Sequence, residues 1–144
     1  MSLTPKERAE RTAAAMLAND HASQSIGIEL VEIDEAFSIL ELVVEARHCN
    51  GHGICHGGIT FMLADTAFAV ACNSRNQSTV AQHNVISFLA PGKLGDRLRA
   101  EAREVSLVGR SGIYDVRITT QTGTVMAEFR GISRAIKGQY IEEL

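Results

Sequence analysis

Residues 49–73 read CNGHGICHGGITFMLADTAFAVACN, a glycine-rich loop that leads into an apolar segment. The segment predicts a helix from about Gly57 to Asn73 that is apolar on most of its circumference. Such a helix has to be covered on most sides, which predicts a sheet wrapped around it. One carboxylate, Asp65, stands among these apolar side chains. Because burial disfavours a charged carboxylate, Asp65 is expected to have a partner or a function.

Composition limits what that function can be. A chain of 144 residues predicts a single domain over residues 1–144 that buries a sizeable core. The net charge of -3 predicts neither nucleic-acid nor membrane binding. No apolar run approaches the roughly 20 residues of a membrane span, and the first residues are polar. Three cysteines fit a reducing compartment, so a cytoplasmic protein is expected.

Periodicity and turn residues predict the remaining elements. A capping box at Thr4 predicts a helix from about Pro5 to Ala18. An alternating pattern from Ser25 predicts a strand, which pairs as a hairpin with a second strand from Phe37 to Glu45. After the central helix, four strands joined in part by short turns are predicted as a meander, over residues 79–89, 97–103, 113–120 and 124–135. The expected class is α+β with a mainly antiparallel sheet.

The loop-to-helix junction suits chemistry at a carbonyl group. Gly57 and Gly58 let a substrate oxygen approach backbone N–H groups that the first helical turn leaves unpaired. The helix dipole adds a partial positive charge, which favours a developing oxyanion. A purely structural alternative is that the glycines only ease a tight entry into the helix. Asp65 is then interpreted as a base or nucleophile, or alternatively as a hydrogen-bonded link between two helices.

The spacing of these residues predicts an assembly. Gly57 and Asp65 lie on one helix face through Phe61, yet about 12 Å of helical rise separates them. One small reacting group cannot touch both. If two copies of the helix pack antiparallel about a two-fold axis near Phe61, Gly57 of each chain meets Asp65 of the other. A homodimer with two shared active sites is therefore expected.

These residues resemble the hotdog-fold acyl-CoA thioesterases of the phenylacetic-acid-degradation type. The resemblance rests on these matching positions: Asn50 to Gly58, Phe61, residues 63–65, residues 67–69, residues 86–89, Pro91-Gly92, Gly95-Asp96 and residues 108–110. It implies a hotdog fold, in which an antiparallel sheet wraps one long helix and dimers often pair into tetramers. Together with the elements predicted above, the expected fold has five to six strands and an extra N-terminal helix.

The resemblance also implies roles for individual residues in hydrolysis of acyl-CoA to free acid and CoA. The Gly57 N–H would polarise the thioester carbonyl, and Asp65 of the partner subunit would activate water or attack directly. Asn50 would position the water or the thioester, and His56 would support the loop. The implied substrates are phenylacetyl-CoA or hydroxyphenylacetyl-CoA, with no cofactor besides the CoA of the substrate.

Further positions are expected to contact the substrate. The turn Val108-Gly109-Arg110-Ser111 resembles the family's contact for the CoA tail, and Lys137, Lys93 and Arg103 are candidate phosphate partners. Alternatively, each of these cations is only a solvated surface charge. Gly58, Phe61 and His83 complete the expected substrate contacts.

One departure from the family lies on the strand after the helix. Relatives often place a small hydroxyl residue there, near the reacting carboxylate, whereas residues 80–84 read VAQHN. Either His83 or Asn84 takes that supporting role, or neither does.

Three alternatives belong to other functional classes. His48, Cys49, His52, Cys55 and His56 lie within nine residues and suggest zinc, although no second ligand pair follows. A non-catalytic acyl-CoA-binding regulator would keep the Gly57 region but would not need Asp65. A hotdog dehydratase would pair a histidine with an acidic residue on the opposing helix.

Overall fold

The computed structural model describes residues 2–143. Three α-helices and six strands follow one another in the order α1 (Pro5–Ala18), α2 (His21–Ile26), β1 (Glu29–Asp34), β2 (Phe37–Val43), α3 (Gly57–Cys72), β3 (Thr79–Phe88), β4 (Arg97–Val108), β5 (Ser111–Thr119) and β6 (Val125–Ala135). A short 3-10 turn, Ala46–His48, precedes the glycine-rich loop. All neighbouring strands are antiparallel, in the order β1-β2-β4-β5-β6-β3.

Helix α3 is the centre of the core and packs against β2, β4 and β5. Its Leu63 is fully buried, as are Ala100 and Ala102 on the facing side of β4. The small side chains of β4 let the helix approach the sheet closely. On β6 even a methyl group would not fit, since a Cβ at Gly131 would lie 2.7 Å from the Phe68 ring. The expected arrangement of an antiparallel sheet around one long helix is confirmed.

One side of α3 is less covered than the rest. Gly58 is exposed, and Met62, Asp65 and Ala69 are half-buried. Their spacing of four, three and four residues places them on one face of the helix. We call these four residues the open stripe of α3. Asp65 lies in this stripe, so it is beside the core rather than enclosed within it.

The N-terminal helix is confirmed, but the segment after it differs from the prediction. Residues 25 and 26 end the short helix α2 and do not begin a strand, which starts only at Glu29. Asp20 caps α2 by accepting from the Ser23 N–H at 3.0 Å, and Gly27 ends it with φ +83°. The Asp20 cap and the terminal Gly27 therefore favour a helix here, although the alternation of Ile26, Ile28 and Leu30 suggests a strand.

The predicted meander of four strands is wrong in one respect. Strands β4, β5 and β6 do form a meander, but β3 pairs with β6 at the sheet edge, and β4 pairs with β2. Residues 89–96 are a crossing connection and not a tight turn. At Gly92 this connection passes so close to Met126 that a Cβ would lie 3.0 Å from the methionine methyl group.

Strand ends also differ by a few residues. Strand β2 ends at Val43 rather than at residue 45, and β4 continues to Val108, five residues beyond the predicted end. Strand β5 begins at Ser111, so the predicted turn shortens to Gly109-Arg110. None of the helices in residues 2–143 has the length and apolar character that crossing a membrane would require.

Candidate active site

A cavity of about 470 Å³ opens at the N-terminus of α3. Two residues singled out from the sequence, Asn50 and Gly57, line it together. Its walls are otherwise mostly apolar, formed by Ile54, Cys55, Thr60, Phe88, Leu89, Ala90, Pro91, Gly92 and Met126. The cavity therefore combines an apolar chamber with the backbone at a helix N-terminus.

The backbone N–H groups at this end of α3 are not equivalent. The Gly58 N–H donates to Nδ1 of His56 at 2.9 Å, so His56 caps the helix. Because Nδ1 accepts, the proton of a neutral His56 ring is on Nε2. The Gly57 N–H has no acceptor among residues 2–143 and belongs to a residue that lines the cavity. Gly57 is thus the donor available to a ligand, whereas Gly58 is already used.

The loop before α3 orients Asn50 through its own hydrogen bonds. The Asn50 side-chain oxygen accepts from the His52 N–H at 2.9 Å and from the Ile54 N–H at 3.4 Å. The loop is closed by an antiparallel bridge between Cys49 and Cys55. Asn50 is therefore held at the cavity mouth by a compact turn.

Asp65 lies eight residues after Gly57 on α3 and contacts β3. The Asn84 side-chain N–H donates to Oδ1 of Asp65 at 3.1 Å. Burial raises the pKa of Asp65 above its ordinary value, the Asn84 hydrogen bond partly offsets this effect, and the charge of Asp20 adds to it. Within residues 2–143, the buried Asn84 side-chain oxygen has no partner of its own. Asp65 is therefore a partly desolvated carboxyl group beside an unused acceptor.

A β-bulge decides which residue of β3 reaches Asp65. The pairing of β3 with β6 shifts between Ala81 and His83, so Gln82 is an extra residue. After the bulge, Asn84 and Ile86 point toward α3, while His83 is exposed. Of the two residues that the sequence leaves open, Asn84 is therefore the one beside Asp65, and His83, the expected substrate contact, is not. The polar run before Asn84 gives no sign of the bulge.

The two candidate half-sites lie at different heights along α3. Beside Gly57 is the ring of Phe88, whose Cζ would lie 3.2 Å from a Cβ at that position. Asn84, four residues earlier on β3, is beside Asp65. Four strand residues span about 13 Å, which matches the rise of about 12 Å between Gly57 and Asp65 on the helix. Within one chain these two groups cannot contact the same reacting atom.

Three of the residues expected to contact a CoA tail line a second cavity of about 570 Å³. Gly109, Arg110 and Lys137 line it together with Gln77, Ala135, Ile136 and Gly138. Val108 is 75% exposed beside it, and Ser111 accepts a hydrogen bond from Arg134 at 3.3 Å. Met126 of the first cavity and Ala135 of the second are at opposite ends of β6, about 30 Å apart.

The other expected contacts lie elsewhere. Arg103 pairs with Glu101 at 3.3 Å and stacks over Phe37. Lys93 lines a separate depression beside Asp96 and Thr120. Phe61 packs edge-on against Phe129, with ring centroids 5.5 Å apart, and is not part of the cavity lining.

The histidine and cysteine run does not assemble around a common point. His48 is buried, accepts from the Glu45 N–H at 2.9 Å through Nδ1, and uses Nε2 on the Ile26 carbonyl at 2.8 Å. His56 uses Nδ1 to cap α3. Among residues 2–143, no three His, Cys, Asp or Glu side chains are placed to hold a metal ion.

Comparison with known proteins finds a matching family and a related enzyme that agree with each other. The model of the thioesterase superfamily matches residues 52–127. The acyl-coenzyme A thioesterase PaaI of Escherichia coli K12 is 43% identical over 131 residues, which are 91% of this chain and 94% of that protein.

Solved structures agree with this relationship. The structure of E. coli PaaI, from the phenylacetic acid degradation operon, has a TM-score of 0.92 at 41% identity and covers 94% of this chain and 99% of that one. The protein smu.793 of Streptococcus mutans, bound to acetyl CoA, has a TM-score of 0.75 at 25% identity and covers 78% and 91%. The fold is thus the expected hotdog fold, and the chain belongs to the thioesterase superfamily, whose enzymes hydrolyse thioesters.

Proposed function

We propose that this protein hydrolyses acyl-CoA thioesters, with Gly57 of one chain and Asp65 of the partner subunit in each active site. The observation that carries the proposal is the pair of incomplete half-sites on α3. One is the Gly57 N–H, which has no acceptor within residues 2–143 and belongs to a residue lining an apolar cavity; the other is a partly desolvated carboxyl group on the open stripe. The E. coli relative, an acyl-coenzyme A thioesterase, supports the choice of substrate class.

A two-fold axis near Phe61 would bring the half-sites together. Strand β3 is ten residues long and is a sheet edge, with exposed apolar side chains at Val80 (46%), Val85 (53%) and Phe88 (55%). A long edge strand with exposed apolar side chains is prone to pair with another chain. Because β3 lies beside the open stripe of α3, a second copy covering β3 would also cover Asp65. We propose a homodimer as the active unit, in the cytoplasm, with pairing of dimers into a tetramer.

The chemistry divides between the two chains. The thioester carbonyl oxygen accepts from the Gly57 N–H, where the helix dipole stabilises the developing negative charge. Asp65 of the partner subunit takes a proton from water as the water attacks the carbonyl carbon, or attacks that carbon itself. The carbon–sulfur bond then breaks, and CoA leaves as the thiolate. Attack by water gives the free acid directly, whereas attack by Asp65 gives an anhydride that water then hydrolyses to release the acid and regenerate Asp65. Asn50 orients the water or the thioester at the cavity mouth, and His56 holds the helix end.

The two-fold axis near Phe61 would also bring a contact for CoA to the active site. Asn73, at the end of α3, donates to the Thr79 carbonyl at 3.1 Å, and Thr79 pairs with Ala135 beside the second cavity. That cavity is therefore at the Asp65 end of the helix. In an antiparallel dimer, the partner's Arg110 and Lys137 approach the cavity that contains Gly57. We propose that this basic end binds the CoA phosphates.

Arg110→Ala tests this contact. Loss of the guanidinium group should raise KM for an acyl-CoA without changing KM for a truncated thioester that lacks the nucleotide. The Michaelis constants of both substrates are the measurement, with Arg117→Ala, on the exposed part of β5, as the matched control. An equal increase for both substrates would contradict a contact with the CoA tail.

The acyl group we propose is an aryl-acetyl group, of the phenylacetyl or hydroxyphenylacetyl type. The cavity beside Gly57 has a predominantly apolar wall that includes the Phe88 ring. The structural relative from the phenylacetic acid degradation operon supports the same choice.

Release of free thiol from a panel of acyl-CoA substrates tests the proposal. Phenylacetyl-CoA should give a higher kcat/KM than long-chain acyl-CoA. Tight binding of acyl-CoA without thiol release would contradict hydrolysis and favour a non-catalytic regulator.

A further inference from the structure

Cys49 and Cys55 are the two cysteines that flank the loop carrying Asn50. We infer that they are an oxidisable dithiol site, which a low-molecular-weight disulfide converts to an intramolecular disulfide. The inferred effect on thioester hydrolysis rests on the proposed function, whereas formation of the bond does not.

The backbone already places the two residues at bonding distance. They face each other in an antiparallel bridge. On either side of the pair, the Asn50 N–H donates to the Ile54 carbonyl at 2.9 Å and the His56 N–H donates to the His48 carbonyl at 2.8 Å. This pattern defines a non-hydrogen-bonded pair, in which the Cα atoms are about 4.5 Å apart and the side chains share one face. Disulfides span Cα separations of about 4.4–6.8 Å, so neither backbone hydrogen bond has to break.

The two thiols differ in access to solvent. Both are free, Cys49 is half-exposed and Cys55 is 5% exposed on the cavity wall. Burial raises the pKa of Cys55, and the nearby Cys49 thiolate raises it further. This electrostatic effect of Cys49 on Cys55 is consistent with neighbouring sulfur atoms. Cys49 is therefore the sulfur that a dissolved reagent reaches first.

The reaction is thiol–disulfide exchange in two steps. The Cys49 thiolate attacks one sulfur of the small disulfide, which breaks the sulfur–sulfur bond and releases one thiol. Cys55 then loses its proton and attacks the Cys49 sulfur, which releases the second thiol. The protein pair loses two electrons and two protons, and the reagent gains both.

The bond would act on the active-site loop. Cys55 precedes Gly57 by two residues, and its sulfur now accepts a hydrogen bond from the Thr60 hydroxyl at 3.6 Å. Turning that sulfur toward Cys49 removes this contact, reshapes the wall of the cavity and ties both ends of the Asn50–Ile54 loop. We expect kcat/KM for thioester hydrolysis to fall several-fold on oxidation and to recover with dithiothreitol.

Incubation of the purified oligomer with oxidised glutathione tests the site. Intact mass should fall by the mass of two hydrogen atoms, and peptide mapping should give a Cys49–Cys55 linkage that dithiothreitol reverses. Cys72→Ser is the matched control and should behave like the wild type, because burial raises the pKa of Cys72 to about 12 and keeps it a thiol. Cys49→Ser should keep the untreated rate and form no internal disulfide.

Three results would contradict parts of the inference. Free thiols at both positions, or a stable glutathione adduct on Cys49 with no internal bond, would contradict the dithiol site. An internal disulfide that leaves kcat/KM unchanged would contradict its coupling to the loop. If no thioester is hydrolysed at all, the proposed function fails, while the mass measurement still decides whether the disulfide forms.

Discussion

Asp65 is a residue whose importance can be inferred from its neighbours in the sequence. A carboxyl group in the run LADTAFA is costly to ionise, and this cost alone marks it as a candidate for function. The sequence does not decide whether its hydrogen-bond partner is His83 or Asn84, because the bulge at Gln82 changes which side chains of β3 face α3. Gly57 was predictable as a donor, but the use of the Gly58 N–H by His56 depends on a ring orientation that the sequence does not encode.

Asp65→Asn separates the function of this residue from its structural role. The amide keeps nearly the same shape but has no ionisable group, so turnover should fall by about 10²-fold or more. The folded state raises the pKa of Asp65, so the ionised carboxylate costs stability at neutral pH. The variant should therefore melt at the same or a higher temperature, as measured by calorimetry. Near-wild-type turnover would rule out Asp65 as base or nucleophile.

Asn84→Ala should shift the pH dependence of the reaction. The Asn84 hydrogen bond favours the charged form of Asp65 and lowers its pKa, so its loss raises that pKa. Since the ionised carboxylate is the active form, the acid limb of the kcat/KM profile should move to higher pH. His83→Ala, which alters the exposed neighbour, should leave the limb in place. An unmoved limb in Asn84→Ala would contradict the assigned contact.

At the scale of elements, local sequence patterns predict most of the helices and strands, but they do not predict which strands distant in sequence pair with each other. The capping box of α1 is present as expected, with Thr4 accepting from the Glu7 N–H at 3.1 Å. The partner of β3 was missed because pairing with β6 depends on how the sheet passes around α3. No turn residue specifies that choice. The helix α2 was missed because its six residues are too few to show a helical period.

Gly131→Ala tests how closely α3 approaches β6. The added methyl group would meet the Phe68 ring at 2.7 Å, in a core without space to accommodate it. The variant should lose about 1–3 kcal/mol in the free energy of unfolding, measured by urea denaturation. Gly123→Ala is not a clean control, because Gly123 has φ +85°. Gly51→Ala, where a Cβ would meet no heavy atom within 4 Å, is the matched control. Equal stability of the two variants would contradict the close approach.

At the scale of the whole molecule, the distances along α3 and the position of β3 in the sheet both favour a homodimer. The rise between Gly57 and Asp65 excludes a shared atom within one chain. The order of strands places β3, with its exposed apolar side chains, at the edge of the sheet beside Asp65. The same distance argument applies to the second cavity. At the far end of β6 it is too distant from Gly57 of its own chain, so in the dimer only the partner subunit's copy of this cavity would lie near Gly57. Gly109, Arg110 and Lys137 were expected from the sequence to act together, but the other lining residues and the distance of this cavity from the first one were not.

Subunit complementation tests the shared site most directly. One variant is Asp65→Asn. The other is Gly57→Pro, which removes the proposed donor at the first helical position, where proline is tolerated. His56 has ψ 135°, a conformation that suits the residue before proline.

In a heterodimer of these two inactive variants, a shared arrangement places both defects in one active site and leaves the other intact. We predict that the heterodimer, co-expressed with two tags and purified, recovers about half of the wild-type kcat, since one of two symmetric sites is whole. A heterodimer as inactive as either parent would contradict an active site built from two chains.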